Sequence, residues 1–395
     1  MAKIDFLSVI HDQDALPTMN HLLEQFKQKY GHSVQGTFVD WDMLWREITN
    51  VGIYKKGADI AEIGSTWLDG LVAMNCLRPF TYREIAQLGG KDAFLAPNWS
   101  SVLIGEGEQV WGIPVRSDVR ILWYWEDMLE QAKLDPQTAF SSFEQFPETF
   151  EKLKTVVPTP WAIITAPSDA NSLQTMASWI WDAGGEFVSK DGKKFLFIEP
   201  AARQGMRAFF DLYRYMPKTL VALSGNETGR LFAERKVCAT IGGPWLLVDL
   251  AGRKVSTDRV KAAMIPGPAF VGGTAMVIYE HSRVAEAAVN FLEFITSPEI
   301  QLQYGPIVSL LPTRHQAWNV PPLSDNPLYQ TLYRALSQGR SYPSVPLWGV
   351  IEQKLLSALG NSWNAIRGQE HPDIDAVIDE NFVSLARRLE LTFNS

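Results

Sequence analysis

The sequence predicts an α/β protein of two lobes, each a mostly parallel sheet flanked by helices. Three observations predict it: the length of 395 residues, a strand and helix alternation at the start, and proline-punctuated extended segments further along. A chain this long exceeds the size at which one hydrophobic core stops growing, so two lobes are expected.

The alternation begins with an apolar strand over residues 4–10 and a helix in which Met19, Leu22, Leu23, Phe26 and Tyr30 share a face, with Gly31 placed to end it. Residues 33–39 read as a second strand, 41–51 as a helix and 58–63 as a third strand. Leu68, Leu71 and Val72 suggest a helix behind it. This βαβαβα run predicts parallel pairing. Residues 110–116 are extended, and Pro114 is poorly suited to a central ladder strand, so this segment is a candidate crossing between lobes. Residues 262–268 and 310–314 are two further candidates. The expected lobes are 1–113 with 269–313, and 114–268 with 314–395.

Helical patterns return at 143–155, 171–183 and 201–216, where Met206, Phe209, Phe210 and Tyr213 share a face. After Ser297-Pro298, which starts a helix, the chain ends on Ile374, Ile378, Phe382, Leu385 and Leu389 at one-face spacing. There is no internal repeat and no low-complexity tract.

Composition excludes several function classes. A net charge of -8 gives no long-range attraction for nucleic acid or anionic membranes, and no uninterrupted apolar run reaches bilayer-spanning length. Cys76 and Cys238 are expected as buried free thiols. Met1-Ala2-Lys3 runs directly into a strand without the regions of a signal peptide, so either the protein is cytoplasmic or a leader was removed.

Phosphate-loop, H-E-x-x-H and G-x-S-x-G signatures are absent. Gly105-Glu106-Gly107 lacks the third glycine of a dinucleotide fingerprint and reads as a surface turn. The six histidines lack metal-ligand spacing, and neither a metal nor a cofactor is expected. Carboxylates are numerous enough to nominate an acid and base pair, which keeps a glycoside hydrolase as an alternative. The prominent feature is fourteen tryptophans. Indole offers a flat apolar face with one N–H donor, which suits pyranose rings, and Trp41, Trp67, Trp245 and Trp348 fall at loop positions.

The segment Ala233 to Trp245, ending Gly242-Gly243-Pro244-Trp245, resembles the G-x-x-A-M-x-x-x-G-P-W segment of extracellular solute-binding proteins serving sugar importers, a family that includes maltose-binding protein. Ala58-Asp59-Ile60, Gly112-Ile113-Pro114, Gly272-Gly273 and Ser297-Pro298-Glu299 resemble further family segments in the family's order. The resemblance implies a two-lobed periplasmic-binding-protein fold with the ligand in a cleft between lobes, no catalysis, hinge closure, and delivery to the membrane subunits of an ABC importer. It also implies a sugar ligand and a periplasmic or extracellular location. A monomer is expected. Trp245 matches the family's stacking tryptophan and Trp348 looks like a second. Trp123-Tyr124-Trp125 departs from the family's tyrosine-asparagine pair.

In a parallel lobe, residues just after strands face a cleft. This nominates Asp12 and Asp14, beside His11; Asp40 and Trp41; and Ser65, Thr66 and Trp67, with Glu62 as a buried acid needing a partner. Turn and helix capping is the alternative role for Asp12 and Asp14. Arg116 and Asp118 are candidates from the first crossing, with a mutual ion pair as the alternative; Arg314 is a candidate from the third. Trp181 and Asp182 end a helix, and Gly272 and Gly273 permit close backbone approach, as a simple turn also would. A polyamine remains the nearest rival ligand, since tryptophans and acids also box a cation.

Overall fold

The computed structural model describes residues 1–9, 15–105, 109–167, 169–218, 222–308, 310–343, 345 and 348–393. The chain forms two compact units. The first comprises Met1–Asp118, Val271–Gln330 and Ser341–Gly349; the second comprises Val119–Phe270, Thr331–Arg340 and Val350–Ser395. The strands are β1 (Lys3–Val9), β2 (Ser33–Val39), β3 (Ile60–Gly64), β4 (Leu103–Ile104), β5 (Gln109–Val110), β6 (Ile113–Val119), β7 (Ile121–Trp125), β8 (Trp161–Ala162), β9 (Ala239–Gly242), β10 (Val260–Ala263), β11 (Val271–Ile278) and β12 (Leu311–Pro312).

The sheet of the first unit has the order β12-β6-β11-β3-β1-β2. Strands β1, β2 and β3 pair in parallel, as their helical connections require, through α1 (Leu16–Tyr30) and α2 (Trp41–Tyr54). Met19, Leu22, Leu23 and Phe26 of α1 are buried, and Gly31 ends the helix in a left-handed conformation that returns its N–H to the Lys27 carbonyl. A short helix, α3 (Leu68–Ala73), follows β3.

The expectation of mostly parallel sheets is corrected. Strand β11 pairs antiparallel with β3, and β12 antiparallel with β6. In the second unit, of order β10-β7-β9-β8, both β10 and β9 run antiparallel to β7, and the parallel pair is β8 with β9. Strand β11 follows β10 through a short segment without a helix, so no crossover fixes a parallel direction for it.

Pro114 lies in β6, an inner strand, despite the expectation that proline would exclude it. It is the second residue of the strand, and β12 pairs only at Ser117 and Arg116, so the missing N–H falls beyond that ladder. The Pro114 carbonyl accepts from Thr313 Oγ1 (3.0 Å). Residues 310–314 are therefore part of the first unit, and the chain leaves that unit after Gln330.

The second unit is aromatic at its centre. Trp123 and Trp125 are fully buried, with indole N–H groups donating to the carbonyls of Gly242 (3.2 Å) and Phe232 (2.9 Å). Buried indoles need such partners, which explains why β7 departs from the family pattern here: these rings build core. The helix Phe146–Leu153 packs Phe146 and Phe150 against Trp161 of β8, the helix Ala170–Asp182 packs near β9, and Pro200–Asp211 packs on the latter helix. Met206, Phe209 and Phe210 are buried as their spacing predicts, while Tyr213 falls in the turn beyond the helix and is partly exposed. Cys76 and Cys238 are buried free thiols, and burial pushes Cys238 up to about 12.

Candidate functional site

Strand β3 ends at Gly64, and Ser65-Thr66-Trp67 turns from it into α3. The Trp67 ring covers Gly64, where a Cβ would lie 3.4 Å from the indole. Trp41 and Trp45, one helical turn apart on α2, meet Trp67 edge-on, each with ring centroids 5.5 Å away. Trp41 is 41% exposed and Trp45 40%. The trio thus presents indole surface to solvent within the first unit, an arrangement suited to apolar ring faces. Trp45 escaped the sequence reading, although its i, i+4 relation to Trp41 carried the signal. Asp40, the residue before α2, is exposed, and its side chain makes no cap bond.

Beside this turn lies a small cavity, with room for about one water molecule, lined by Ser65, Thr66, Asp69, Ser101, Ser341, Tyr342, Pro343 and Trp348. The structure therefore brings together Ser65, Thr66 and Trp348 from distant parts of the chain. Trp348 is 1% exposed and tilts against Tyr342 with centroids 4.6 Å apart, so in this structure it is a cavity wall. Asp69 is 6% exposed, its Oδ1 has no hydrogen-bond partner among the described residues, and burial pushes its carboxyl up to about 7. The sequence reading missed Asp69 because a helical acid beside an apolar run looks like a solvated first-turn residue.

Several predicted site residues serve the framework instead. Glu62 is fully buried on β3; its carboxylate pairs with Arg116 on β6 and accepts from Ser8 Oγ and Thr274 Oγ1 (2.6 Å). The Arg116 guanidinium lies over the Tyr304 ring at 4.8 Å. Each charge satisfies the other, so neither is directed at a ligand. Gly273 lies in β11 at φ 131°, where a Cβ would collide with the Arg116 carbonyl, and the neighbouring Gly272 carbonyl accepts from Asn98 Nδ2 (3.2 Å). Both glycines allow close strand packing. Arg314 is buried, stacks on Phe94 at 4.1 Å and donates to the Thr296 carbonyl (3.1 Å) and hydroxyl (3.0 Å). Asp118 is half-buried at the last position of that segment of the first unit.

In the second unit Trp181 is 5% exposed, under the Arg340 guanidinium at 4.6 Å, which removes its ring from solvent. Asp182 is exposed and packs against Gly267. Trp245 opens the helix Trp245–Gly252; it is partly exposed, and its ring covers Gly242 at 3.4 Å from a Cβ position. The candidates His11, Asp12 and Asp14 lie outside the described residues, as do Glu106 and Gly107 of the surface turn.

Among the described residues no group of three or more His, Cys, Asp or Glu is placed to hold a metal ion, and no helix is long and apolar enough to cross a membrane. What the sites offer is aromatic faces, hydroxyls and one unsatisfied carboxyl.

Two α/β units, each threaded by returning segments of one chain, define the class of two-lobed binding proteins. The family described as bacterial extracellular solute-binding protein matches residues 21–331, and the chain belongs to it. A putative binding protein of Brucella abortus is 21% identical over 349 residues, which is 85% of this chain and 81% of that protein. A maltooligosaccharide ABC transporter solute-binding lipoprotein of Streptococcus pneumoniae is 20% identical over 288 residues, 67% of this chain and 64% of that one. The sugar-binding protein MalE from Xanthomonas citri superposes with a TM-score of 0.83 at 18% identity, covering 100% of this chain and 99% of that one. The two-lobed α/β fold expected from the sequence is thus the fold found, with mixed sheets in place of mostly parallel ones.

Proposed function

We propose that the protein captures a neutral sugar or oligosaccharide between its two lobes by hinge closure and delivers it to the membrane subunits of an ABC importer, outside the cytoplasm, as a monomer and without chemical turnover. The observation that carries the reading is the Ser65-Thr66-Trp67 turn. It joins an indole trio to a hydroxyl-lined cavity, and that pairing of flat apolar faces with hydrogen-bonding rims suits pyranose rings. Trp245 is the aromatic we assign to the site from the second unit, being partly exposed at a helix start. Relatives named for sugar and maltooligosaccharide binding support the ligand class.

Ligand contacts to both lobes favour the closed state by the difference in affinity between open and closed forms, which is all that transport requires of this component. A melting-temperature screen over neutral mono- and oligosaccharides and spermidine tests the reading. A ligand at about 100 times its Kd adds roughly 2.7 kcal/mol and raises Tm by a few degrees. At least one neutral sugar is expected to do so with little salt dependence; a salt-sensitive shift from spermidine alone assigns a polyamine instead.

A further inference from the structure

Helix α2 turns two large apolar side chains towards solvent, where a surface helix ordinarily carries polar ones. Trp41 and Trp45 are 41% and 40% exposed, and one turn of helix, a rise of about 5.4 Å, separates them. Their placement is fixed from behind. Both lean edge-on against Trp67, and the tip of the Trp45 ring rests on Gly70 of α3, where a Cβ would lie 3.4 Å from it. Ordering side chains at an interface costs free energy, so rings already held in place are covered at less cost.

The polar groups around the rings decide what fits over them. Asp40, immediately before α2, is exposed without a cap bond, and its carboxylate has no hydrogen-bond partner among the described residues. The hydroxyls of Ser65 and Thr66, immediately before Trp67, are likewise without a partner among the described residues, and both residues are partly exposed. An apolar protein surface or an acyl chain seated on the indoles strips water from these groups and returns no hydrogen bond. A ring that is apolar on its faces and hydroxylated at its rim covers the indoles and supplies donors and acceptors at their edge. Trp41 follows β2 and Trp67 follows β3, so the rings gather at the carboxyl ends of parallel strands, where open α/β sheets bind ligands.

One exposed indole matches one sugar ring. Two of them a helical turn apart match two consecutive rings of a chain, because the turn is on the scale of a six-membered ring with its linkage. We propose that the ligand is a neutral oligosaccharide of at least two consecutive rings and that Trp45 is the residue that selects for the second. The assignment rests on the sugar-binding reading above and adds to it a minimum length and the residue that sets it.

The test is calorimetric titration of wild type, Trp45→Ala and Trp45→Phe with glucose, maltose and maltotriose, and with cellobiose and cellotriose, weak sugars being measured by displacement. If none gives heat, the neutral oligosaccharide that raises Tm most takes their place beside its constituent monosaccharide. Circular dichroism follows folding, and Trp45→Leu replaces Trp45→Ala if the latter does not fold. Wild type is expected to bind a di- or trisaccharide at least about tenfold more tightly than the monosaccharide. Trp45→Ala is expected to lose about tenfold for the longer sugar and to stay within about twofold of wild type for the monosaccharide, whereas Trp45→Phe keeps the preference for length. A length preference unchanged in Trp45→Ala, or affinity lowered alike for every sugar, overturns the role of Trp45. A wild type that binds the monosaccharide as tightly as any longer sugar overturns the minimum length and leaves the sugar-binding reading standing. No sugar bound by wild type sinks that reading and this assignment with it.

Discussion

Glu62 and Asp69 are both buried carboxylates of the first unit, one on β3 and one on α3, and they have opposite surroundings. Glu62 meets a guanidinium and two hydroxyls, whereas Asp69 has an oxygen with no partner among the described residues. A satisfied buried charge holds strands together; an unsatisfied one is costly and persists where something else makes use of it. The difference lies in which elements converge. Strands β6 and β11 bring Arg116 and Thr274 to Glu62, whereas the segments around Asp69 bring hydroxyls and rings without a cation.

The largest expected effect breaks the satisfied side of the comparison. Glu62→Ala strands the Arg116 guanidinium in the core and is expected to destabilise the protein by about 4 kcal/mol in urea unfolding. A loss below about 1 kcal/mol contradicts the framework role.

Asp69→Asn has the opposite sign. The folded-state carboxyl is raised to about 7, so the folded protein binds its proton more tightly than the unfolded chain, and wild-type stability declines as pH rises from the ordinary aspartate value of about 4 to that point. Unliganded Asp69→Asn is therefore expected to exceed wild type by on the order of 3 kcal/mol above pH 7, with the gap closing towards pH 4. A pH-independent difference between the two unfolding curves removes Asp69 from this account.

A smaller change sharpens the site. Trp245→Ala is expected to weaken sugar binding by about 2 kcal/mol while the folded spectrum persists, because the ring is partly exposed at a helix start. Loss of the folded spectrum together with affinity makes Trp245 a core residue instead.

Helix faces were legible in the sequence because period and burial agree. The buried stripe of α1 and the terminal series Ile374, Ile378, Phe382, Leu385 and Leu389 are found buried as spaced. Strand direction was not legible. An extended segment such as 260–263 carries no mark of whether it will pair parallel or antiparallel, and Pro114 looked disqualifying until its place relative to β12 was known. In the candidate site, Ser65, Thr66, Trp67 and Trp348 could be named from their positions after strands or by family likeness. Arg116, Gly273 and Arg314 are the same residue types used for packing, and composition cannot separate the two uses. Asp69 was hidden because its importance comes from Ser101, Ser341 and Trp348, which are remote in sequence.

The central claim is tested most directly by titrating the wild-type protein with maltotriose and related neutral oligosaccharides in a calorimeter at low and high salt, then recovering the sugar for chromatography. The account predicts saturable binding with one site per chain for at least one of them, little change with salt, and intact sugar afterwards. Binding confined to salt-sensitive spermidine, or shorter sugars released in proportion to protein and time, contradicts it.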